Sequence, residues 1–132
     1  MRVKSQLWPI GGSDFFHAFF STISYHLEPD GWGTRLPTLM NQLYQGELPA
    51  GAAGRALQEL EEARKELKRF PPDAVIWDIE NLAAKPPWGD EISDEITDLS
   101  NYFVTDDGRN LFDVLHEALS YAERAEAPVR IW

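Results

Sequence analysis

The strongest pattern of apolar and polar positions lies near the start of the chain. Apolar residues recur there at helical spacing and fall on one side of a helical wheel, which predicts a core helix over residues 13–27. The apolar side consists of Phe15, Phe16, Phe19, Phe20, Ile23, His26 and Leu27. The polar side consists of Asp14, His17, Ser21, Ser24 and Tyr25. Ser13 is the expected N-cap of this helix.

Three further helices follow from the same periodicity. Leu36, Leu39, Met40 and Leu43 recur at the spacing of a short helix, which Gly46 would end. Residues 50–69 carry an apolar stripe with a mixed-charge outer face. The last helix is expected to start after an N-cap at Asn110. Its apolar face consists of Leu111, Val114, Leu115, Ala118, Leu119 and Ala122.

Short segments rich in β-branched and aromatic residues predict the strands. They are residues 2–8, 74–79, 101–105 and 128–132, and the second is expected to be central in its sheet. With the helices grouped between these strands, we expect an α+β fold: a single domain over residues 1–132, with a small sheet of about four strands and helices packed mainly on one face.

The composition narrows the function classes. The chain of 132 residues is long enough to bury its own core and contains no cysteine, which excludes disulfides, thiolate zinc sites and a cysteine nucleophile. The stretch MRVKSQLWPIGG lacks the apolar core of a signal peptide, so a cytoplasmic location is expected.

The net charge of −10 is concentrated in one part of the chain. Between Asp73 and Asp107 there are ten acidic residues and a single basic one, Lys85. Nucleic acids and anionic membranes repel such a surface, so neither is expected as a partner. Confined acidity instead predicts a cationic partner.

The densest acidic stretch is KPPWGDEISDEITDLSNYFVTDDG, which begins at Lys85. Ile92, Ile96 and Leu99 are spaced as on a short amphipathic helix, whose outer face would present the carboxylates. Aromatic residues are enriched at interface hot spots, so nearby aromatics complete the predicted partner-binding surface. Its residues are Trp88, Asp90, Glu91, Asp94, Glu95, Asp98, Tyr102, Asp106 and Asp107. The competing interpretation is a solvated face that only aids solubility.

Candidate catalytic and metal-binding residues are few. His26 is expected at the core boundary, and His17 and His116 at the surface, without metal-ligand spacing. Asp78 and Glu80 are the best pair for acid and base chemistry. The sequence contains no catalytic or nucleotide-binding motif and no EF-hand spacing, so no catalytic residue, metal or cofactor is expected.

Three long strings of the sequence resemble a known family. They are DFFHAFFSTISYHLEPDGWGTRLPTLMNQLYQGEL, VIWDIENL and PPWGDEISDEITDLSNYFVTDDGRNLFDVL, which lie within residues 14–119. They are similar to the immunity protein 70 family of bacterial polymorphic toxin and contact-dependent growth inhibition systems. The resemblance implies a small cytoplasmic protein that binds and neutralises a cognate toxin domain, and it carries over no catalytic residues.

Two other interpretations stay open at this point. The chain is also compatible with a small enzyme or ligand-binding protein that uses Asp78, Glu80 and a histidine in a pocket, or with one subunit of a homo-oligomer. A basic toxin domain, many such toxins being nucleases, fits the acidic segment best. The sequence leaves the toxin's activity and the oligomeric state open.

Overall fold

The computed structural model describes residues 1–89 and 91–131. It confirms the α+β fold, with three long helices and one small antiparallel sheet. The helices are α1 (Ser13–Leu27), α2 (Ala53–Leu67) and α3 (Leu111–Ala125), and Thr38–Leu43 forms a π-helical turn. All four were predicted, and the bounds of α1 agree with the expected residues 13–27.

The helix N-termini differ in how they are capped. The Asn110 side chain accepts a hydrogen bond from the Phe112 N–H at 2.9 Å, which confirms it as the N-cap of α3. The prediction of Ser13 as a cap was wrong. Gly12 occupies the N-cap position of α1 and has no side chain to offer, so Ser13 is already the first helical residue.

The sheet consists of four two-residue strands in the order β2-β1-β4-β3. They are β1 (Arg2–Val3), β2 (Gln6–Leu7), β3 (Glu47–Leu48) and β4 (Val129–Arg130). The strand predicted over residues 2–8 is in fact the β1–β2 hairpin, whose turn places Lys4 in the left-handed region at φ 53°. The closing strand is confirmed as β4, and β3 was not predicted.

The core is an aromatic cluster on the apolar side of α1. Phe19 lies at its centre, with ring centroids 4.8 Å from Phe112 of α3 and 5.3 Å from Phe103. All three rings are at most 1% exposed. Burying a phenylalanine contributes roughly 1.5–3 kcal/mol, so the three rings together contribute roughly 4.5–9 kcal/mol.

The segment of residues 74–79 is not a strand, contrary to the prediction. After a 3₁₀ turn at Pro72–Ala74 the chain runs along the polar side of α1. The Thr22 hydroxyl both donates to the Ile76 carbonyl and accepts from the Ile76 N–H, each at 3.1 Å. Ser21 Oγ accepts from the Ile79 N–H at 3.2 Å. Because these hydroxyls satisfy the backbone, the segment needs no neighbouring strand.

Two other predicted elements are also absent from the described residues. The acidic stretch forms turns instead of a helix, because Ser93 Oγ and Asp98 Oδ1 accept the N–H groups of Glu95 and Ser100 two residues on. The strand predicted over residues 101–105 is reduced to one bridge between Val104 and Asn110. The chain turns at residues 105–108, where the Gly108 N–H donates a 2.9 Å hydrogen bond to the Thr105 carbonyl.

Candidate functional site

The predicted partner-binding residues divide into exposed and internal groups. Glu91, Asp94, Glu95, Asp106 and Asp107 are exposed, and Trp88 is 40% exposed. Tyr102, by contrast, is only 4% exposed, and Asp98 is half-buried. Asp90 lies outside the described residues.

Trp88 is held in place by Tyr102. The indole Nε1–H donates a hydrogen bond of 2.8 Å to the Tyr102 hydroxyl. Burial raises the pKa of the Tyr102 phenol, although the bond from Trp88 partly opposes this, so the hydroxyl stays protonated at neutral pH. Tyr102 therefore positions the tryptophan and is not itself an exposed anchor.

A second tryptophan packs against the first. The Trp77 ring meets Trp88 edge to face, with centroids 5.4 Å apart and planes at 84°. Trp77 belongs to the segment that hydrogen-bonds to α1 through Thr22 and Ser21. The polar side of α1 thus fixes one wall of the site, and the Tyr102 hydroxyl fixes the adjacent one.

Two adjoining cavities open beside these rings, and we call them together the Trp88 groove. The larger measures about 290 Å³ and is lined by Gly11, Gly12, Asp14, Phe15, Trp77, Pro87, Trp88, Val104 and Asp106. The smaller measures about 190 Å³ and is lined by Phe15, Trp88, Glu91, Ile92, Ser93, Ile96, Tyr102 and Val104. They adjoin because Phe15, Trp88 and Val104 line both.

The described acids of residues 88–107 form no ion pair with a described basic residue. Every ion pair in the described part of the chain uses an acid outside residues 88–107, such as Arg35 with Glu62 at 2.6 Å and Arg64 with Asp113 at 2.7 Å. Most of these ion pairs involve residues of α2 and α3, whereas the described acids beside the groove take part in none.

Asp98 and Asp107 have internal partners. Burial alone would raise the pKa of the Asp98 carboxyl, but hydrogen bonds from Ser100 and Thr97, aided by the charge of Lys68, hold the pKa below its ordinary value. The Asp107 carboxylate accepts a hydrogen bond from the Thr105 hydroxyl. Both residues shape turns, so neither is as free as Asp94 or Glu95 to meet a partner.

The surroundings of Asp78 bear on the alternative of an enzyme or ligand-binding protein that uses Asp78, Glu80 and a histidine. His17 Nε2 lies 3.1 Å from Asp78 Oδ1, and His17 Nδ1 lies 2.5 Å from the Tyr44 hydroxyl oxygen. A hydrogen bond from the Glu80 N–H, followed by the contact with His17, lowers the pKa of Asp78. Both ring nitrogens are thus occupied by contacts within the protein, which suits a structural connection between α1 and residues 74–80.

The other two histidines also have local partners. His26 Nε2 lies 2.7 Å from the Ala74 carbonyl oxygen, so it sits at the core boundary as expected. His116 Nε2 lies 3.0 Å from Glu61 Oε1 on the surface, also as expected. His17 is more enclosed than predicted, with a 27% exposed side chain. Over the described residues, no group of three or more histidine and acidic side chains could hold a metal ion.

Sequence reasoning missed the groove's other walls. Asp14 was assigned only to the polar side of the first helix, Phe15 to its apolar side, and Trp77 and Val104 to strands. Phe15 and Trp77 are half-buried, and Val104 is 43% exposed. No periodic signal could have joined them, because they come from three separate parts of the chain.

Comparison with known proteins identifies a family for this chain. A family model described as Immunity protein 70 matches residues 1–131. Neither the curated proteins nor the solved structures include a significant match. Among the described helices, none has both the length and the apolar character needed to span a bilayer.

Proposed function

This chain belongs to the immunity protein 70 family, and from that premise we propose that it neutralises its cognate toxin by covering it with the acidic surface around the Trp88 groove. An immunity protein implies a toxin partner, which we take to be the C-terminal domain of a polymorphic or contact-dependent inhibition toxin. The protein would act in the cytoplasm of the cell that it protects. In this proposal it is an inhibitor without catalysis of its own.

The observation that carries the proposal is the pairing of uncompensated carboxylates with an exposed tryptophan. Glu91, Asp94, Glu95 and Asp106 form no ion pair with any described residue, although basic residues are paired elsewhere on the surface. Like charges left together repel one another and weaken the fold slightly. A basic partner would remove that repulsion on binding.

A nuclease domain is the toxin class that fits best. Such a domain must carry a basic surface to hold the phosphate backbone. Carboxylates presented on this turn-rich surface can occupy the same basic residues and exclude the nucleic acid. Occlusion of this kind requires no chemical step by the inhibitor.

Charge and apolar contact would have different tasks in the complex. Complementary charge steers encounter and raises the association rate toward about 10⁸–10⁹ M⁻¹s⁻¹ at low salt. A nanomolar complex requires about −12 kcal/mol, most of which must come from buried contacts rather than from rim charges. Trp88, held by Tyr102 and packed on Trp77, is the natural anchor.

The proposal is tested by coexpressing the chain with the toxin domain encoded beside its gene. We expect restored growth, copurification of the two proteins, and an affinity that falls as salt concentration rises. A toxin domain that stays lethal and does not copurify would refute the assignment to that toxin. The solubility interpretation predicts no dependence of neutralisation on the acidic surface.

A further inference from the structure

We propose that the Trp88 groove receives an arginine side chain from a basic segment of the toxin. The inference rests on the proposed function and specifies what the partner contributes to the contact. It follows from the size of the two cavities, the charge of their linings and the fixed orientation of the indole.

The size of the groove is compatible with a protein side chain. The two parts of the groove measure about 290 Å³ and about 190 Å³, and Trp88 lines both. Each part therefore accommodates one long side chain, with the indole beside it.

The charge of the linings favours a cation. Asp14 and Asp106 line the larger cavity and Glu91 lines the smaller one, whereas neither lining includes a Lys, Arg or His among the described residues. The remaining lining is mostly apolar, with Phe15, Trp77 and Val104 in the larger cavity. A side chain with an apolar stem and a positively charged tip is complementary to both the apolar and the acidic lining residues.

The hydrogen bonding of Trp88 favours a ligand group that contacts the face of the indole ring. The one hydrogen-bond donor of the indole is already given to the Tyr102 hydroxyl at 2.8 Å, so Trp88 cannot donate to an anionic ligand. Its rings can still contact a cation, and tryptophan is the best aromatic partner for one.

Arginine fits this combination better than lysine. A planar guanidinium stacks on aromatic faces and binds carboxylates through two parallel N–H groups, whereas an ammonium acts as a compact and strongly hydrated charge. Asp14 and Asp106 are exposed carboxylates that line the same cavity as both tryptophans. They would bind the guanidinium while the rings cover its stem.

The first experiment uses the isolated protein and blocked single amino acids as probes. N-acetyl amide forms of arginine, lysine, norleucine and glutamate are titrated while NMR records the indole N–H signals. We expect arginine to shift the Trp88 and Trp77 signals most, lysine less, and norleucine and glutamate hardly at all. Asp106→Asn should at least halve the arginine-induced shift.

The probe experiment has clear adverse outcomes. Equal shifts with norleucine and arginine would show an apolar groove without preference for a cation and would overturn the proposal. The absence of any shift at Trp88 with arginine would also overturn it. Because no toxin is present, these outcomes do not depend on whether the proposed function is correct.

The second experiment places a cation in the groove by mutation. Val104→Lys adds a positive group at a 43% exposed position of the groove, and Leu7→Lys adds the same charge at a 66% exposed position on the β1–β2 hairpin. We expect Val104→Lys to weaken toxin binding at least about tenfold and Leu7→Lys to change it less than about twofold. Thermal unfolding of both variants checks that the fold is retained.

The two proposals fail in different ways. If the wild-type protein binds the toxin tightly and Val104→Lys binds equally well, the groove is not the anchor while the immunity function stands. If the wild-type protein does not bind the adjacent toxin domain at all, the proposed function fails whatever the probes show.

Discussion

The hydroxyl of Tyr102 accepts the only N–H that the Trp88 indole can donate, at 2.8 Å, while Tyr102 itself is 4% exposed. A buried and protonated phenol thus fixes the orientation of a tryptophan that is 40% exposed. Residues that bind tightly are commonly held in place before the partner arrives, because ordering them on binding costs free energy.

Tyr102→Phe should therefore weaken the toxin complex without removing any contact atom of Trp88. The lost hydrogen bond is worth about 0.5–1.5 kcal/mol. We therefore expect the Kd to rise roughly two- to tenfold and the free energy of unfolding to fall by about 0.5–1.5 kcal/mol. Calorimetry and urea unfolding measure the two effects. Tyr121→Phe is the matched control, because Tyr121 packs on Trp8 and does not line the groove. Equal affinity of both variants would contradict a positioning role.

Removing the acidic groups beside the groove should slow association. We expect the combined variant Glu91→Gln, Asp94→Asn and Glu95→Gln to associate about 10- to 100-fold more slowly at low salt, with a flatter salt dependence and an unchanged fold. Stopped-flow fluorescence at several salt concentrations gives the rates. The control replaces the exposed acids Asp30, Glu123 and Glu126, which removes the same charge elsewhere. If both variants slow binding equally, net charge rather than this surface directs encounter.

Asp98 should behave differently from Asp94, because it stabilises the fold. Hydrogen bonds keep the pKa of Asp98 below that of an ordinary aspartate, about 3.9, so its contribution is present above that pH and is lost as pH falls through the folded-state pKa. Asp98→Asn should be less stable than the wild type at pH 7, and the difference should shrink below about pH 4. Urea unfolding across this range tests it, with Asp94→Asn as the control. A difference that stays constant with pH would contradict this role.

Thr22 should contribute strongly to the docking of residues 74–80. Thr22→Val keeps the shape but leaves the partly buried N–H and carbonyl of Ile76 without the hydroxyl, at a cost of up to about 1–3 kcal/mol for each unsatisfied group. Thr22→Ser retains the hydroxyl and should lose less than about 1.5 kcal/mol. Denaturant unfolding compares the two. The Trp77 indole signal should broaden only in the valine variant, and an unaffected signal would show that the segment docks by other means.

Much of the helical framework could be predicted from sequence, because a repeating apolar face is a local property. The fifteen residues of α1 present such a face at every turn. Strands of two residues carry too little pattern to be recognised, which is why β3 was missed and the β1–β2 hairpin was predicted as one strand.

The errors at residues 74–79 and in the acidic stretch have a common physical origin. Ile76 and Thr22 are 54 residues apart, so nothing in the local sequence shows that a helix hydroxyl will satisfy that backbone. In the acidic stretch, Ser93 and Asp98 bind the backbone two residues away and thereby compete with a helix. In both segments the residue types favour a regular element, but side chains satisfy the backbone hydrogen bonds that the strand or helix would have made.

The candidate site was predicted only in part for the same reason. Trp88 and the acids share one stretch of sequence, so composition alone identified them. Phe15, Trp77 and Val104 join them through tertiary packing. The role of Tyr102 as a support also depends on burial, which its position in the sequence did not indicate.

The brevity of the strands has a consequence for how the folded protein behaves at high concentration. The outermost strands, β2 and β3, each end after two residues, so the described sheet offers neighbouring copies only a very short edge for strand pairing. Concentrated solutions of the folded protein should therefore resist edge-to-edge polymerisation.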